Sequence, residues 1–366
     1  MPSLPYYPSS PAPVNPYPRV AARKSEVVHP KGHTIKSVIK SPLPLGPTPD
    51  NFDWCNVSGV NYCSKDLNQH IPQYCGSCWA HGSMSALADR WKIHSKSEKT
   101  DFLPAIQVIL NCGTNVAGSC GGGSGSGAYQ FVYEQGIPEL TCQQYQAEDN
   151  SCSDLNTCRN CPPGGGPCVA VANYSKMYID EFGGVEGEDD IKAEIFARGP
   201  VACGIDALPL ESWDGKGIID GSTQGGVNHI ISLAGWGVTS NGTKFWIGRN
   251  SWGTYWGAKG WFYITTAYQP GCSWAVPRLE EKQPTITCSS DATSTTQCPA
   301  DSQCCCEKRS IFKKTCAPPP ALAAQACCFL FVTCDFFYSC ESYVCCSKGT
   351  ACSSSGCGSS TVVSYY

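Results

Sequence analysis

Charge is scarce in this 366-residue chain: Asp, Glu, Lys and Arg make up 15% of it, the formal net charge is −4, and no long basic block is present. A slightly acidic chain without a basic run suits neither nucleic acid nor an anionic membrane as a partner. No stretch reaches 18 consecutive apolar residues, so no membrane span is expected. Residues 1–18 are rich in Pro, Ser and Tyr without a leucine-rich centre, and do not read as an export signal. Cysteine is missing from the first 54 residues, and histidine is rare, with only His29, His33, His70, His81, His94 and His229. Imidazole chemistry is thereby confined to few positions.

What abounds is cysteine, 27 residues in all, more than a reducing cytosol tolerates as structural thiols. Thirteen fall between Cys55 and Cys272 and fourteen between Cys288 and Cys357. Setting Cys78 aside as a free thiol leaves an even number in each block, as two separately crosslinked domains would have. Sequons at Asn56, Asn173 and Asn241 fit a secretory route and a glycoprotein. Lysosomal, vacuolar or secreted placement follows, although no signal peptide is visible.

Three segments are expected. Residues 1–47 hold eleven of the 27 prolines and read as an extended leader or short propeptide. Residues 48–281 carry mixed signals. Met84, Leu87, Ala88 and Trp91 recur at helical spacing after Cys78, predicting a helix with one buried face. Further helices are expected around Ala128–Gln135 and over Glu188–Ala197, the latter stopped by Gly199-Pro200. Strands are expected at Val201–Ile205, His229–Ala234, Lys244–Gly248 and Trp261–Thr265. Helices first and strands later indicate an α+β fold. Residues 282–366 form a module with a cysteine about every fifth position, too dense for a thick core, whose apolar runs Cys327–Phe331 and Phe336-Phe337-Tyr338 offer a binding surface.

The chemistry centres on Gln73-Tyr74-Cys75-Gly76-Ser77-Cys78-Trp79. A thiol at a helix N-terminus is favoured as thiolate by the helix dipole. A Cys-x-x-Cys pair can also be a redox site or half a zinc site. The first needs a strand leading into it, and Gln69–Tyr74 with its Pro72 is a poor one; the second needs another Cys/His pair at zinc spacing, which the region lacks. No metal and no cofactor are therefore expected. A thiolate attacking a carbonyl needs a base, a group orienting it, and oxyanion donors. His229, opening a strand, suits the base better than His81 or His94 on the Cys78 helix. Asn250, ahead of Trp252, suits the orienter.

Cys78, the Asn228-His229 strand with Gly235-Trp236-Gly237, and Asn250-Ser251-Trp252-Gly253 resemble the catalytic blocks of papain-like cysteine peptidases over roughly residues 50–278. The resemblance implies a two-lobed fold, a helical lobe beside a β-barrel-like one, with peptide or protein substrates and a monomeric chain. It implies Cys78 as nucleophile, His229 as general acid/base, Asn250 as its orienter, and Gln69 with the Cys78 backbone N–H as oxyanion hole. Gln69 stands nine residues before Cys78 rather than the usual six. The extra His70-Ile71-Pro72 resembles the cathepsin X (cathepsin Z) branch, in which such a loop narrows the primed side and its histidine meets the substrate's C-terminal carboxylate. His70, Tyr74, Gly122, Gly123 and Trp252 become substrate-binding candidates, and a cysteine-type carboxypeptidase is implied. So are the crosslinks Cys75–Cys120, Cys112–Cys152, Cys142–Cys158, Cys161–Cys168 and Cys203–Cys272, with Cys55 and Cys63 left to pair.

Two departures stand out. The branch caps its thiol with a propeptide cysteine, and this leader has none, so latency through a mixed disulfide is excluded. The tail resembles a granulin module but has single Cys334 and Cys340 where doublets are expected. An endopeptidase, or a non-catalytic protein binding through the granulin-like tail, are the alternatives.

Overall fold

The computed structural model describes residues 25–28, 35–44, 46–96, 101–222, 225–265 and 271–278, together with the backbone of the strands within 285–357. Residues 1–24, His29, His33, and the side chains of the tail, with its apolar runs and cysteines, lie outside the described residues. The chain divides into two compact units, Met1–Arg278 and Leu279–Tyr366.

The first unit has two cores. In one, Trp79, Met84 and Leu87 of α1 (Cys78–His94) meet Ile109 and Leu110 of α2 (Ile106–Cys112) and Tyr129 and Val132 of α3 (Gly125–Gln135). The other lies between α4 (Glu188–Arg198) and a sheet, and holds Ile191, Ile195, Val201, Leu233, Trp236, Trp246 and Trp274. The short element Phe52–Asp53 is β1. The remaining strands are β2 (Ile179–Val185), β3 (Val201–Ile205), β4 (His229–Val238), β5 (Lys244–Arg249), β6 (Trp261–Ile264) and β7 (Cys272–Pro277). They pair in the order β6-β5-β4-β3-β7-β2, with β1 added along β4. All these pairings are antiparallel. This is the expected two-lobed α+β arrangement.

One expectation needs correction. Helix α1 is not an amphipathic helix with a single buried face: every residue from Cys78 to Arg90 is buried. The reason is its place between the two cores, where its polar residues find partners. Ser83 donates to the Trp79 carbonyl at 2.7 Å. Asp89 pairs with Arg249 of β5, and Arg90 with Glu194 of α4 at 2.8 Å. Arg90 also donates to the carbonyls of Pro200, Ala275 and Gly199. Hydrophobic periodicity could not register these positions, because it counts Asp and Arg as surface.

Local signals account for the helix ends. Ser124 caps α3 by accepting from the Gly127 N–H, and Gly136 ends it at φ +68°. Helix α4 opens on Glu188, Asp189 and Asp190 and closes on Arg198, matching its dipole, with Gly199 at φ +118°. The pattern missed α2, β2 and β7. Of these, β2 contains a Gly-Gly pair that weakens its strand signal.

Six disulfides are formed: Cys55–Cys63, Cys75–Cys120, Cys112–Cys152, Cys142–Cys158, Cys161–Cys168 and Cys203–Cys272. The last five are the pairs the resemblance implied, and the first joins the two cysteines left over. Cys78 is the free cysteine among the described residues. The Cys75–Cys120 bond, across a separation of 45 residues, limits the unfolded chain by about 4 kcal/mol on a loop-closure argument. It also ties the segment before α1 to the Gly118–Ser119/Gly122–Gly123 hairpin.

In the second unit the backbone forms three antiparallel pairs: Thr285–Ser289 with Thr295–Pro299, Ser302–Phe312 with Phe337–Ser347, and Cys352–Ser353 with Gly356–Cys357. Among the described residues no helix is long and apolar enough to cross a membrane.

Candidate active site

Cys78 is the first residue of α1, fully buried, with Ser77 as the flanking residue. The Ile230 N–H, next to His229 on β4, donates to the Cys78 sulfur at 3.4 Å. His229, at the start of β4, is also fully buried. Its Nε2 lies 2.9 Å from Asn250 Oδ1. An amide oxygen can only accept, so Nε2 carries the proton and Nδ1 is left for the thiol side. Ligand atoms of Cys78 and His229 lie within 4.8 Å of each other. The Trp252 indole covers the imidazole with centroids 5.2 Å apart, shielding that hydrogen bond from water.

Asn250 follows β5 directly, and its place is set from behind by Arg249. That guanidinium is buried, pairs with Asp89, donates to the Ser64 carbonyl at 3.0 Å, and stacks over Trp261 at 5.0 Å. The Asn250 N–H donates to the Gly260 carbonyl at 2.9 Å. Asn250 therefore rests on both cores at once.

Gln69 reaches the same point from a different segment. Residues 67–69 run alongside 251–253: the Gln69 N–H donates to the Ser251 carbonyl at 2.8 Å, and the Gly253 N–H to the Leu67 carbonyl at 3.1 Å. Ser251 Oγ donates to Gln69 Oε1 at 2.6 Å, which turns the amide so that Nε2 faces the thiol side. Nε2 donates to the Cys75 carbonyl and to Glu26 Oε2, both at 3.1 Å. Tyr145 OH donates to the Gln69 carbonyl at 2.8 Å, and burial pushes this phenol up, so it stays a donor. His81, one turn along α1 from Cys78, packs edge-on against Tyr145 and is fully buried; burial lowers it to about 4. It is a packing residue.

The other candidates fall around this centre. His70 stacks on Tyr74 with centroids 5.0 Å apart and faces Trp252 at 6.3 Å. Gly122 and Gly123 line the opposite side, where the leader runs. The Gly123 N–H donates to the Glu26 carbonyl at 3.0 Å and the Val28 N–H to the Gly123 carbonyl at 2.9 Å. Glycine is required at 123, since a Cβ there would stand 2.5 Å from the Trp79 ring. The fold thus brings together Cys78, His229, Asn250, Gln69, His70, Tyr74, Gly122, Gly123 and Trp252.

Three residues escaped the sequence reading. Ser251 lay inside a quoted block, and its hydroxyl beside the amide was the available signal. Tyr145 and Glu26 carried none, because each reaches the site from a segment without a motif. Side-chain atoms of Glu26, Cys78 and His229 lie within 4.8 Å of one another. Asp53, Cys55 and Cys63 also cluster, but both sulfurs there are committed to a disulfide.

Comparison with known proteins agrees with this geometry. A family model described as papain family cysteine protease matches residues 48–278. The chain is 45% identical over 242 residues to a cathepsin Z from Onchocerca volvulus, covering 63% of this chain and 78% of that protein. It is 30% identical over 220 residues to the viral cathepsin of Adoxophyes honmai nucleopolyhedrovirus, covering 59% and 57% respectively. Among solved structures, procathepsin B S9 from Trypanosoma congolense matches with a TM-score of 0.52 at 21% identity, over 69% of this chain and 86% of that one. The structure comparing mite allergens Blo t 1 and Der p 1 matches with a TM-score of 0.51 at 21% identity, over 68% and 75%. At that identity these two structures speak for the fold.

Proposed function

This chain belongs to the papain family of cysteine proteases, and from that membership we propose that it is a carboxypeptidase, removing single residues from the free C-termini of peptides and proteins as in the cathepsin X branch. Cys78 is the nucleophile. Its thiolate, favoured by the α1 N-terminus and by an imidazolium at His229, attacks the scissile carbonyl carbon and a C–S bond forms. Gln69 Nε2 and the Cys78 backbone N–H hold the oxyanion. His229 then passes its proton to the departing amine as the C–N bond breaks, leaving a thioester. Water, losing a proton to His229, displaces Cys78 in turn. Asn250 keeps the ring in the tautomer this sequence needs.

The observation that carries the carboxypeptidase reading is the row of rings leading away from the base. His229, Trp252, His70 and Tyr74 follow one another at 5.2, 6.3 and 5.0 Å. The third ring sits on the loop that lengthens the Gln69–Cys78 spacing by three residues. An imidazolium there can pair with one carboxylate beyond the scissile bond, and the loop itself blocks a longer chain. The 45% identity to a cathepsin Z supports the same branch.

The test compares a peptide with a free C-terminus against its amide. The free acid should be cut faster, and His70→Ala should lose about 10- to 100-fold of that preference, the worth of a charge-assisted hydrogen bond. Equal cleavage of both peptides would leave the endopeptidase reading. In this reading the leader is a propeptide, the tail is a granulin-like module, and the protein is a lysosomal, vacuolar or secreted glycoprotein. Asn56, Asn173 and Asn241 are all exposed, as glycosylation requires.

A further inference from the structure

The leader does more than lie along the cleft. At Glu26 it places a carboxylate against Gln69 Nε2, one of the two donors assigned above to the oxyanion. One carboxylate oxygen, Oε2, accepts from Gln69 Nε2 at 3.1 Å and lies 3.8 Å from His229 Nδ1. The other, Oε1, accepts from Tyr74 OH at 2.5 Å. The residue is 2% exposed. Its backbone is held on both walls, with its N–H donating to the Asn228 carbonyl at 3.1 Å and its carbonyl accepting from Gly123. Gly76 leaves room for it, since a Cβ there would meet Glu26 Cγ at 3.0 Å.

Building on the protease reading above, we propose that Glu26 is a non-covalent latch, a side-chain carboxylate that occupies the oxyanion site and keeps Cys78 from substrate until acid or cleavage of the leader releases it. The chemistry suits residues 1–47, which carry no cysteine with which to form a mixed disulfide. A carboxylate is a poor electrophile, so the thiolate gains nothing by attacking it, and no peptide carbonyl need be risked in that position. The groups facing it are the Cys78 thiol, the Gln69 amide, the Tyr74 hydroxyl and His229, with the charge also felt at His81 and Tyr145. The amide and the hydroxyl are donors, and the imidazole is a potential cation. Both printed hydrogen bonds use the carboxylate oxygens as acceptors, so the hold weakens when a proton is taken up there. The backbone bonds of Val28 to Gly123 do not titrate, and supply a pH-independent share of the hold.

The test measures alkylation of Cys78 in the full chain by a thiol-directed epoxide, read by mass spectrometry, with a chelator present to keep metal out of the Glu26–Cys78–His229 cluster. Glu26→Gln should label about tenfold faster than wild type at pH 7, reflecting the loss of charge-assisted bonds, and the gap should narrow as the pH approaches 4. Val28→Pro, which removes only the N–H to Gly123, should speed labelling by a similar factor at both pH values. Equal rates for wild type and Glu26→Gln at both pH values would overturn the latch, and a gap that persists unchanged at pH 4 would overturn its release by acid. The two readings fail separately: a Glu26→Gln chain that labels fast but cuts no peptide sinks the peptidase, whereas one that cuts peptide yet labels no faster than wild type sinks the latch.

Discussion

Asp89 and Glu26 are both buried carboxylates, 0% and 2% exposed, and the segments that carry them are opposites. Asp89 sits on a helix wrapped by two cores, accepts from the Ser64 N–H and hydroxyl at 2.7 Å, and pairs with a guanidinium that cannot lose its proton. Glu26 sits on a short stretch of the leader, 25–28, that is held by a few backbone bonds. An amide, a phenol and an imidazole stand at its carboxylate. The first arrangement is permanent, because separating its charges leaves one of them stranded in the core. The second loses its side-chain hold when a single proton arrives, and keeps only its backbone bonds. Burial alone does not make a charge structural; the nature of its partners decides.

The sharpest way to break this contrast is Arg249→Met. It strands Asp89 and also removes the support behind Asn250, so denaturation should show a loss of about 3–5 kcal/mol. The double variant Asp89→Asn with Arg249→Met should recover part of it. A loss under 1 kcal/mol would mean the staple is ornamental. Next in size is a third buried ionisable group, His81. The unfolded chain takes up its proton near the ordinary histidine value, about 6.5, while the folded chain waits until about 4. Stability therefore falls as pH drops from 6.5 towards 4, by up to about 3 kcal/mol. His81→Phe should flatten the acid slope of a urea midpoint, and an unchanged slope would contradict the assignment.

Asn250→Ala leaves both carboxylates alone and frees the imidazole to turn. It should lower kcat by about 100-fold, near the lower end of what a positioned base contributes, with little change in the denaturation midpoint. Smallest of all, Glu26→Gln should move the global stability of the peptidase unit by less than about 0.5 kcal/mol, the usual scale for positions outside the core network. A shift comparable to that of Arg249→Met would place Glu26 with the scaffold and erase the contrast.

The same contrast explains what could be read from the amino-acid sequence. Cys78, His229, Asn250 and Gln69 stand in short strings whose neighbours have jobs at the same place. Gly235 is an example: a Cβ there would lie 2.1 Å from the Phe52 carbonyl, so the close approach of β1 to β4 demands glycine. Such strings survive as motifs. Short apolar runs bounded by turn residues, such as Val201–Ile205 after Gly199-Pro200, were legible too, and all five residues of that strand are buried, whereas the buried polar face of α1 was not, because a satisfied Asp89 or Arg90 looks like a solvated one. Glu26 is a lone acid in a proline-rich leader, and only the folded chain shows what it touches.

The most direct test of the central claim is a mass-spectrometric time course of a free-acid peptide, digested by the wild-type chain and by Cys78→Ala. The account predicts a ladder of products in the wild type, each shorter by one C-terminal residue, and an unchanged peptide with Cys78→Ala. Internal fragments without a ladder, or a ladder that persists in Cys78→Ala, would contradict it.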